Sequence, residues 1–348
     1  MPTGKAPNTE PVCCLAARVV RFSLMGVLLS FCSSAQGQDN GANSSWDARL
    51  EEASAFLYQG EFEQARDRCT LAMSLASNEE ERAGTLGIRA WACIELGEYG
   101  QAISDATTLI KLKLPTMAGY VLRARAYHGN GEYERSAEDC VWMIQLDPPE
   151  REGYACRARA RTAMGDFVGA IADLHRAIEL GPDNVDLLVQ RASVYWLKGD
   201  DTLARIDFTA AAKRCDRLRD AGEAFEHVPC GYAYLGTGDD PLAFRSFDLA
   251  ASSHRRINEA RCGRARVYLQ MEQYWRAKEE LDAAIRVFPH DGELYYWRAK
   301  AYWKMGNKDE CEIDVQRALR ELPQKGRLPN EAKLLLERVR GAKRLSGP

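Results

Sequence analysis

The 348 residues lack the short signatures that place catalytic or metal-binding groups. Five histidines (His128, His175, His227, His254 and His290) sit in no His-Glu-x-x-His or comparable ligand spacing. No Cys-x-x-Cys pair occurs among the eleven cysteines, which argues against a zinc site. No Gly-x-Ser-x-Gly elbow is present. The Gly-rich stretch GYAYLGTGDD at 231–240 lacks the Gly-Lys-Ser/Thr that a phosphate loop needs, so it marks no nucleotide site. Neither sign of charge dominates: the net charge of −3 leaves no global basic footprint for nucleic acid. Lysine is scarce, 12 against 35 arginines, which favours planar, hydrogen-bonded ion pairs over a polylysine-like surface. With no cluster of titratable groups in view, the sequence reads as non-catalytic, with no cofactor and no metal.

Long apolar runs are also missing. The run FSLMGVLLSFC at 22–32 has eleven residues, too few to span a bilayer as a helix. Lys5, Arg18 and Arg21 precede it and Ser33, Ser34 and Ala35 follow. A basic flank, a short apolar core and a small-residue cut site make up a secretory signal. Residues 1–35 are therefore expected to be a signal peptide and the protein to be exported, periplasmic or secreted; a mistaken start site or an uncleaved membrane-proximal anchor is the alternative. Its removal takes away three basic residues and one acidic residue and leaves a charge of −5. Residues 36–45, QGQDNGANSS, read as a polar linker. Asn43 opens a glycosylation sequon that matters only in a eukaryotic secretory pathway.

What the chain has in abundance is self-similarity. Residues 122–150 (LRARAYHGNGEYERSAEDCVWMIQLDPPE) are followed 34 residues later by CRARARTAMGDFVGAIADLHRAIELGPDN at 156–184. Taking one turn residue per copy as a marker gives Gly60, Gly97, Gly131, Gly165, Gly199, Gly238, Glu272 and Gly306, spaced 37, 34, 34, 34, 39, 34 and 34 apart. Seven residues before the marker every copy is small: Ala53, Ala90, Ala124, Ala158, Ala192, Gly231, Ala265 and Ala299. Five residues after it stand Ala65, Ala102, Ser136, Ala170, Ala204, Ala243, Ala277 and Cys311. Small side chains at both columns let two helices cross closely. Four residues before it stand rings in most copies (Phe56, Tyr127, Tyr195, Tyr234, Tyr268 and Tyr302), and Pro115, Pro148, Pro182, Pro289 and Pro323 close second segments. The apolar spacing of three and four predicts helices throughout.

Period, small columns, ring column and closing proline together resemble the tetratricopeptide repeat. The resemblance implies an all-α, right-handed superhelical solenoid of about eight antiparallel helix pairs with a concave face. The repeats are expected near 46–79, 83–116, 117–150, 151–184, 185–218, 224–257, 258–291 and 292–325, together a 46–325 solenoid, then a capping helix and tail at 326–348. One pair cannot bury its own apolar face, so neighbours must stack. The extra residues between copies five and six, around 214–224, predict a longer helix or loop that bends or divides the stack. At 330–340, NEAKLLLERVR predicts the capping helix, opened by Asn330 and stopped at Gly341.

Charges follow the repeat as well. Eight residues before and after the marker stand Arg89/Asp105, Arg123/Asp139, Arg157/Asp173, Arg191/Asp207, Arg264/Glu280 and Arg298/Asp314. In the first copy the signs reverse, Glu52/Arg68, and in the sixth both charges are gone, Cys230/Ser246. Reversal and joint loss are what a contact produces, so structural ion pairs between the two helices of each copy are expected. Cys215 and Cys230 flank the insertion and are the candidate disulfide in an oxidising compartment. Cys69, Cys93, Cys140 and Cys311 fall in packing columns and are expected to be free, buried thiols.

The concave face is where function is expected. First-helix positions six, three and ten before the marker share a face and supply Trp91, Arg125, His128, Arg159, Trp196, Tyr232, Arg266, Tyr296, Lys300 and Trp303. Arginine and aromatics dominate binding hot spots, so these residues form the candidate groove for a protein or peptide partner. The paired Lys and Asn with which some members of the resembled family hold a C-terminal carboxylate are missing from these columns. A glycan-binding or enzyme-associated module, with Trp196 and Trp303 stacking on sugars, is the alternative. RNA binding would need a more basic groove; DNA is not expected. Oligomeric state is not legible.

Overall fold

The computed structural model describes residues 45–112, 117–145, 151–220, 226–252 and 257–346. The expected signal segment, Asn43, Pro115 and Pro148 lie outside these residues, as does the expected linker apart from Ser45. Ser45 belongs to the fold: its hydroxyl accepts from the Ala48 amide and caps the first helix.

Among the described residues there are seventeen helices and no strand. They run as α1 (Trp46–Tyr58), α2 (Phe62–Leu75), α3 (Glu79–Leu96), α4 (Tyr99–Lys111), α5 (Ala118–Gly129), α6 (Tyr133–Gln145), α7 (Arg151–Ala163) and α8 (Phe167–Leu180). The chain continues with α9 (Val185–Lys198), α10 (Asp201–Asp220), α11 (His227–Thr237), α12 (Asp240–Ser252), α13 (Ile257–Gln270) and α14 (Tyr274–Val287). It ends with α15 (Gly292–Met305), α16 (Lys308–Glu321) and α17 (Arg327–Ser346). Each helix packs on the next, so eight hairpins stack in sequence order. Within this stack no helix is long and apolar enough to cross a membrane.

All eight marker residues adopt positive φ, from 60° at Glu272 to 104° at Gly199. The left-handed residue ends the first helix of each pair and turns the chain into the second. Both small columns are buried at the crossings: Ala53, Ala90, Ala124, Ala192, Ala265 and Ala299 expose no surface, nor do Ala65, Ala102, Ala170, Ala243, Ala277 and Cys311. Gly231, in the sixth pair, leaves room for a ring where the others have Ala; a Cβ there would stand 2.6 Å from Phe247 Cε1.

The arginine–carboxylate pairs cross between the two helices of a hairpin. Arg89 grips Asp105 through Nε and Nη2 at 2.8 Å each. The same fork joins Arg123 to Asp139, Arg157 to Asp173, Arg191 to Asp207 and Arg298 to Asp314, at 2.6–2.9 Å. Arg264 reaches Glu280 at 2.5 Å. These five aspartates are all buried. Hydrogen bonding to the partner carboxylate raises the pKa of Arg89, Arg123, Arg157 and Arg191 still further against the cost of burial. Some arginines also bind the preceding hairpin: Arg298 meets Asp282 at 2.7 Å and Arg264 meets Asp248 at 3.3 Å. The reversed pair Arg68–Glu52 is made at 3.3 Å but lies near the surface.

In the sixth pair, where the charges are gone, Cys230 is bonded to Cys215 of the preceding hairpin. Cys140 departs from expectation. It is not a free thiol but is joined to Cys156, tying α6 to α7. Its column position made it look like a small core residue, yet Cys156 stands opposite it on the next hairpin, with the two Cα atoms 5.9 Å apart. Cys69, Cys93 and Cys311 are buried and form no disulfide.

The insertion lengthens α10 to 20 residues and does not divide the stack. One apolar cluster runs through it, from Val189 and Phe208 to Val228, Phe247 and Val267. The C-terminal helix is longer than expected at both ends, Arg327–Ser346 rather than 330–340. Pro329 falls in its first turn, where the missing N–H costs nothing. Asn330 is therefore inside the helix and Gly341 does not stop it. Leu328, Ala332, Leu335 and Val339 bury its inner face on the last hairpin.

The superhelix does not remain open. After five hairpins the chain comes back on its own early turns: the Tyr99 hydroxyl donates to the Val287 carbonyl at 2.6 Å, across 188 residues. Tyr133 donates to the His290 carbonyl at 3.2 Å, across 157. Arg327 at the head of α17 meets Asp201 at 2.5 Å.

Candidate binding cavity

Closing the spiral turns the concave face into a cavity of about 1030 Å³, lined from Ile94 at the end of α3 to Pro329 in α17. Its wall is built mainly by the first helices of the hairpins. Their period brings the residue six before each marker to the same face, so α5, α7, α11, α13 and α15 contribute Arg125, Arg159, Tyr232, Arg266 and Lys300. His128 and Trp196, three before the marker, complete the seven expected groove residues that line it.

Three expected residues do not line it. Tyr296 is buried and its hydroxyl donates to Glu331 of α17. Trp303 packs on the core of the last hairpin. Trp91 lies between two core clusters, under the Arg125 guanidinium at 4.8 Å. Residues the column reading missed are Trp297, nine before its marker, and Glu95, Tyr99, Tyr133, Asp291 and Glu293 near helix ends. The heptad-like offset of nine could have found Trp297; the others enter only because distant hairpins meet.

The cavity cations are largely engaged by the chain itself. Arg125 stands 3.6 Å from Glu95, and Arg266 stands 3.7 Å from Glu293. Arg266 also lies 5.2, 5.7 and 5.9 Å from the Trp297, Trp196 and Tyr232 ring centroids. Trp196 and Trp297 stack at 6.3 Å, although they come from hairpins five and eight. Arg327 covers Trp196 at 4.8 Å, and Lys300 covers Trp297 at 4.6 Å. The result is an alternating pile of cations and rings that joins α9, α13, α15 and α17. Trp297 Nε1 donates to Glu293 at 2.8 Å.

Burial sets the protonation of the wall. It lowers the pKa of Lys300. It pushes the His128 imidazole down to about 4, helped by the charges of Arg159 and Arg125. Crowding by the surrounding wall raises the Asp291 carboxyl to about 7 although the residue still has surface open to solvent, with Glu293 adding repulsion against the amides of Glu293 and Leu294 that hydrogen-bond it.

The tetratricopeptide-repeat family model matches residues 157–220 and 262–338, the hairpins around α7–α10 and α13–α17. Those stretches are tetratricopeptide repeats. Such repeats generally mediate protein–protein interaction and scaffolding. Among solved structures, the Cut9–Hcn1 hetero-tetramer of APC/C aligns at 14% identity with a TM-score of 0.51, over 89% of this chain and 58% of that one. Yeast Tom70 aligns at 15% identity and a TM-score of 0.49, over 95% and 74%. A tetratricopeptide repeat protein from Parabacteroides merdae aligns at 18% and 0.41, over 85% and 99%. At these identities the likeness concerns fold alone. No curated protein matches the sequence. What distinguishes this chain is therefore read from its own cavity, in which rings and cations come from seven of its eight repeats.

Proposed function

We propose that the chain is an exported, non-catalytic scaffold that holds a short extended segment of a protein partner in its cavity. The observation that carries this reading is the convergence of Arg125, Arg159, Arg266, Lys300, Trp196, Trp297 and Tyr232 on one space of about 1030 Å³. That is the volume of a site for a compact ligand or a few residues, too small for a folded domain. Arginine and aromatic groups supply directional and apolar contacts together. Sugar stacking is disfavoured: Trp196 carries Arg327 and Arg266 on its ring, and Trp303 is packed away from the cavity. Export is supported by the basic and apolar pattern of residues 1–35 and by two disulfides, which persist in oxidising compartments.

Capture of partners by the chain from residue 36, read by mass spectrometry, tests the binding reading. Changing Arg125, Arg159 and Arg266 to Glu together is expected to abolish capture while circular dichroism stays helical. Unchanged capture would remove the cavity from consideration. Amino-terminal sequencing of the protein from its host is expected to start at or near Gln36; a start at Met1 would defeat the cleaved signal, and recovery of the protein from the cytoplasm would defeat the export reading.

A further inference from the structure

Three of the turn glycines are covered and three are bare, although all share the same backbone conformation. A Cβ at Gly97 would stand 3.0 Å from the Val287 carbonyl oxygen, at Gly131 3.2 Å from His290 Cβ, and at Gly165 3.0 Å from Pro323 Cβ. At Gly199, Gly238 and Gly306 it would meet nothing within 4 Å. The covering atoms belong to the two segments at the C-terminal ends of α14 and α16, residues 287–291 and 322–327. These segments thus sit on successive turns of the second, third and fourth hairpins. Gly326 continues the row: a Cβ there would stand 2.8 Å from the Phe167 ring.

Polar contacts hold the same seam. They are the two tyrosine-to-carbonyl bonds described above, the Arg327–Asp201 pair, and Asn258, whose amide donates to the Glu95 carbonyl at 3.2 Å. The seam joins hairpins that are not neighbours. It contains neither an alanine crossing nor an arginine–aspartate fork; with Phe288 on the early core and the Trp196–Trp297 stack as its apolar contacts, it is less reinforced than the crossings within the hairpins. Such interfaces open first, while the elements on either side stay folded. The seam is also a wall of the cavity: Tyr99, Tyr133, His290, Pro323 and Arg327 all line it.

We propose that residues 287–291 and 322–327 form a clasp that shuts the superhelix over its own cavity, and that a partner segment is admitted when the clasp lets go. The clasp stands on these contacts alone; the admission step rests on the binding reading above. A closed ring admits only a free chain end, whereas a released clasp lets an internal segment enter from the side.

Cys262 reports the state of the ring, because it is the free cysteine that lines the cavity, while Cys69, Cys93 and Cys311 are buried in hairpin cores. The probe is a polyethylene-glycol maleimide too large for the cavity, applied to the full chain with Cys13, Cys14 and Cys32 changed to Ser. Tyr99→Phe/Tyr133→Phe/Arg327→Gln is expected to label Cys262 about tenfold faster and to raise the radius of gyration at unchanged helicity. A second pair guards against simple unfolding. Gly165→Leu and Gly306→Leu suffer the same left-handed strain, at φ 79° and 84°, but only Gly165 faces the clasp. Gly165→Leu should speed labelling and Gly306→Leu should not. Equal rates in that pair, or no change of radius in the triple variant, overturn the clasp. A faster-labelling variant that captures its partner no faster than wild type overturns the admission step. It would leave the binding reading to the arginine variants.

Discussion

At the scale of the residue, the arginine–aspartate forks differ in how much they can matter. Asp173 is 4% exposed and accepts from both Arg157 and Arg161. Asp173→Ala leaves two guanidiniums short of a partner in a partly desolvated place and is expected to cost ~1–3 kcal/mol. Glu52→Ala breaks the reversed pair, whose side chains are 39% and 38% exposed. It should cost no more than ~1 kcal/mol. Urea melts of the two variants check this ranking, and equal midpoints would show the buried forks to be ornamental. Glu272 offers the opposite case. It is the non-glycine residue with positive φ among the described residues, at 60°. Glu272→Gly is expected to gain ~0.5–1 kcal/mol, since relief of left-handed strain exceeds glycine's added chain entropy.

Asp291 makes a prediction with a sign. Its carboxyl is raised from the ordinary 3.8 to about 7 in the folded chain. An acid with a raised folded pKa favours the protonated fold, so stability is lost as pH climbs from 3.8 to about 7. The groups in reach of its charge are Glu293 on its own helix, Cys262 on α13, and Tyr99 and Tyr133 across the seam. Asn keeps the helix cap. The stability of Asp291→Asn relative to wild type is therefore expected to rise steadily between about pH 5 and about pH 7. His128 titrates in both proteins and cancels in the difference. A pH-independent difference would defeat the assignment.

At the scale of the element, the disulfides act between hairpins rather than within them. Cys215–Cys230 closes 15 residues and pins the end of the lengthened α10 to α11 where the arginine–carboxylate pair is missing. Changing both to Ser is expected to cost about 3 kcal/mol through the freer unfolded loop. A calorimetric midpoint unmoved by the change would argue against the bond in solution. Helix boundaries show how local cues are overruled. Asn330 and Gly341 carry cap chemistry, but the core face Leu328–Ala332–Leu335–Val339 extends helix α17 past both. Packing a whole apolar stripe outweighs one cap residue.

At the scale of the molecule, the hairpins behave as a chain of nearest neighbours until the spiral completes a turn. From there, contacts between remote hairpins decide the shape of the concave face. They also decide which expected residues face inward: Trp196 gains Trp297 and Arg327 as neighbours, while Tyr296 and Trp303 turn to the cap and the last core.

The sequence by itself determined the hairpin, its period and its crossings. Alanine columns, a left-handed turn residue and charge pairs sixteen residues apart act within one or two repeats, so their pattern is written locally. It determined the cavity-facing column only in part: helical spacing puts Arg125, Arg159, Arg266 and Lys300 on one face, but Trp91, Tyr296 and Trp303, read from the same spacing, do not line the cavity. Only the tertiary structure decided that the spiral closes, that Tyr99 reaches Val287, and that Trp196 meets Trp297. Those outcomes depend on small rotations summed over five hairpins, and no short-range pattern records the sum.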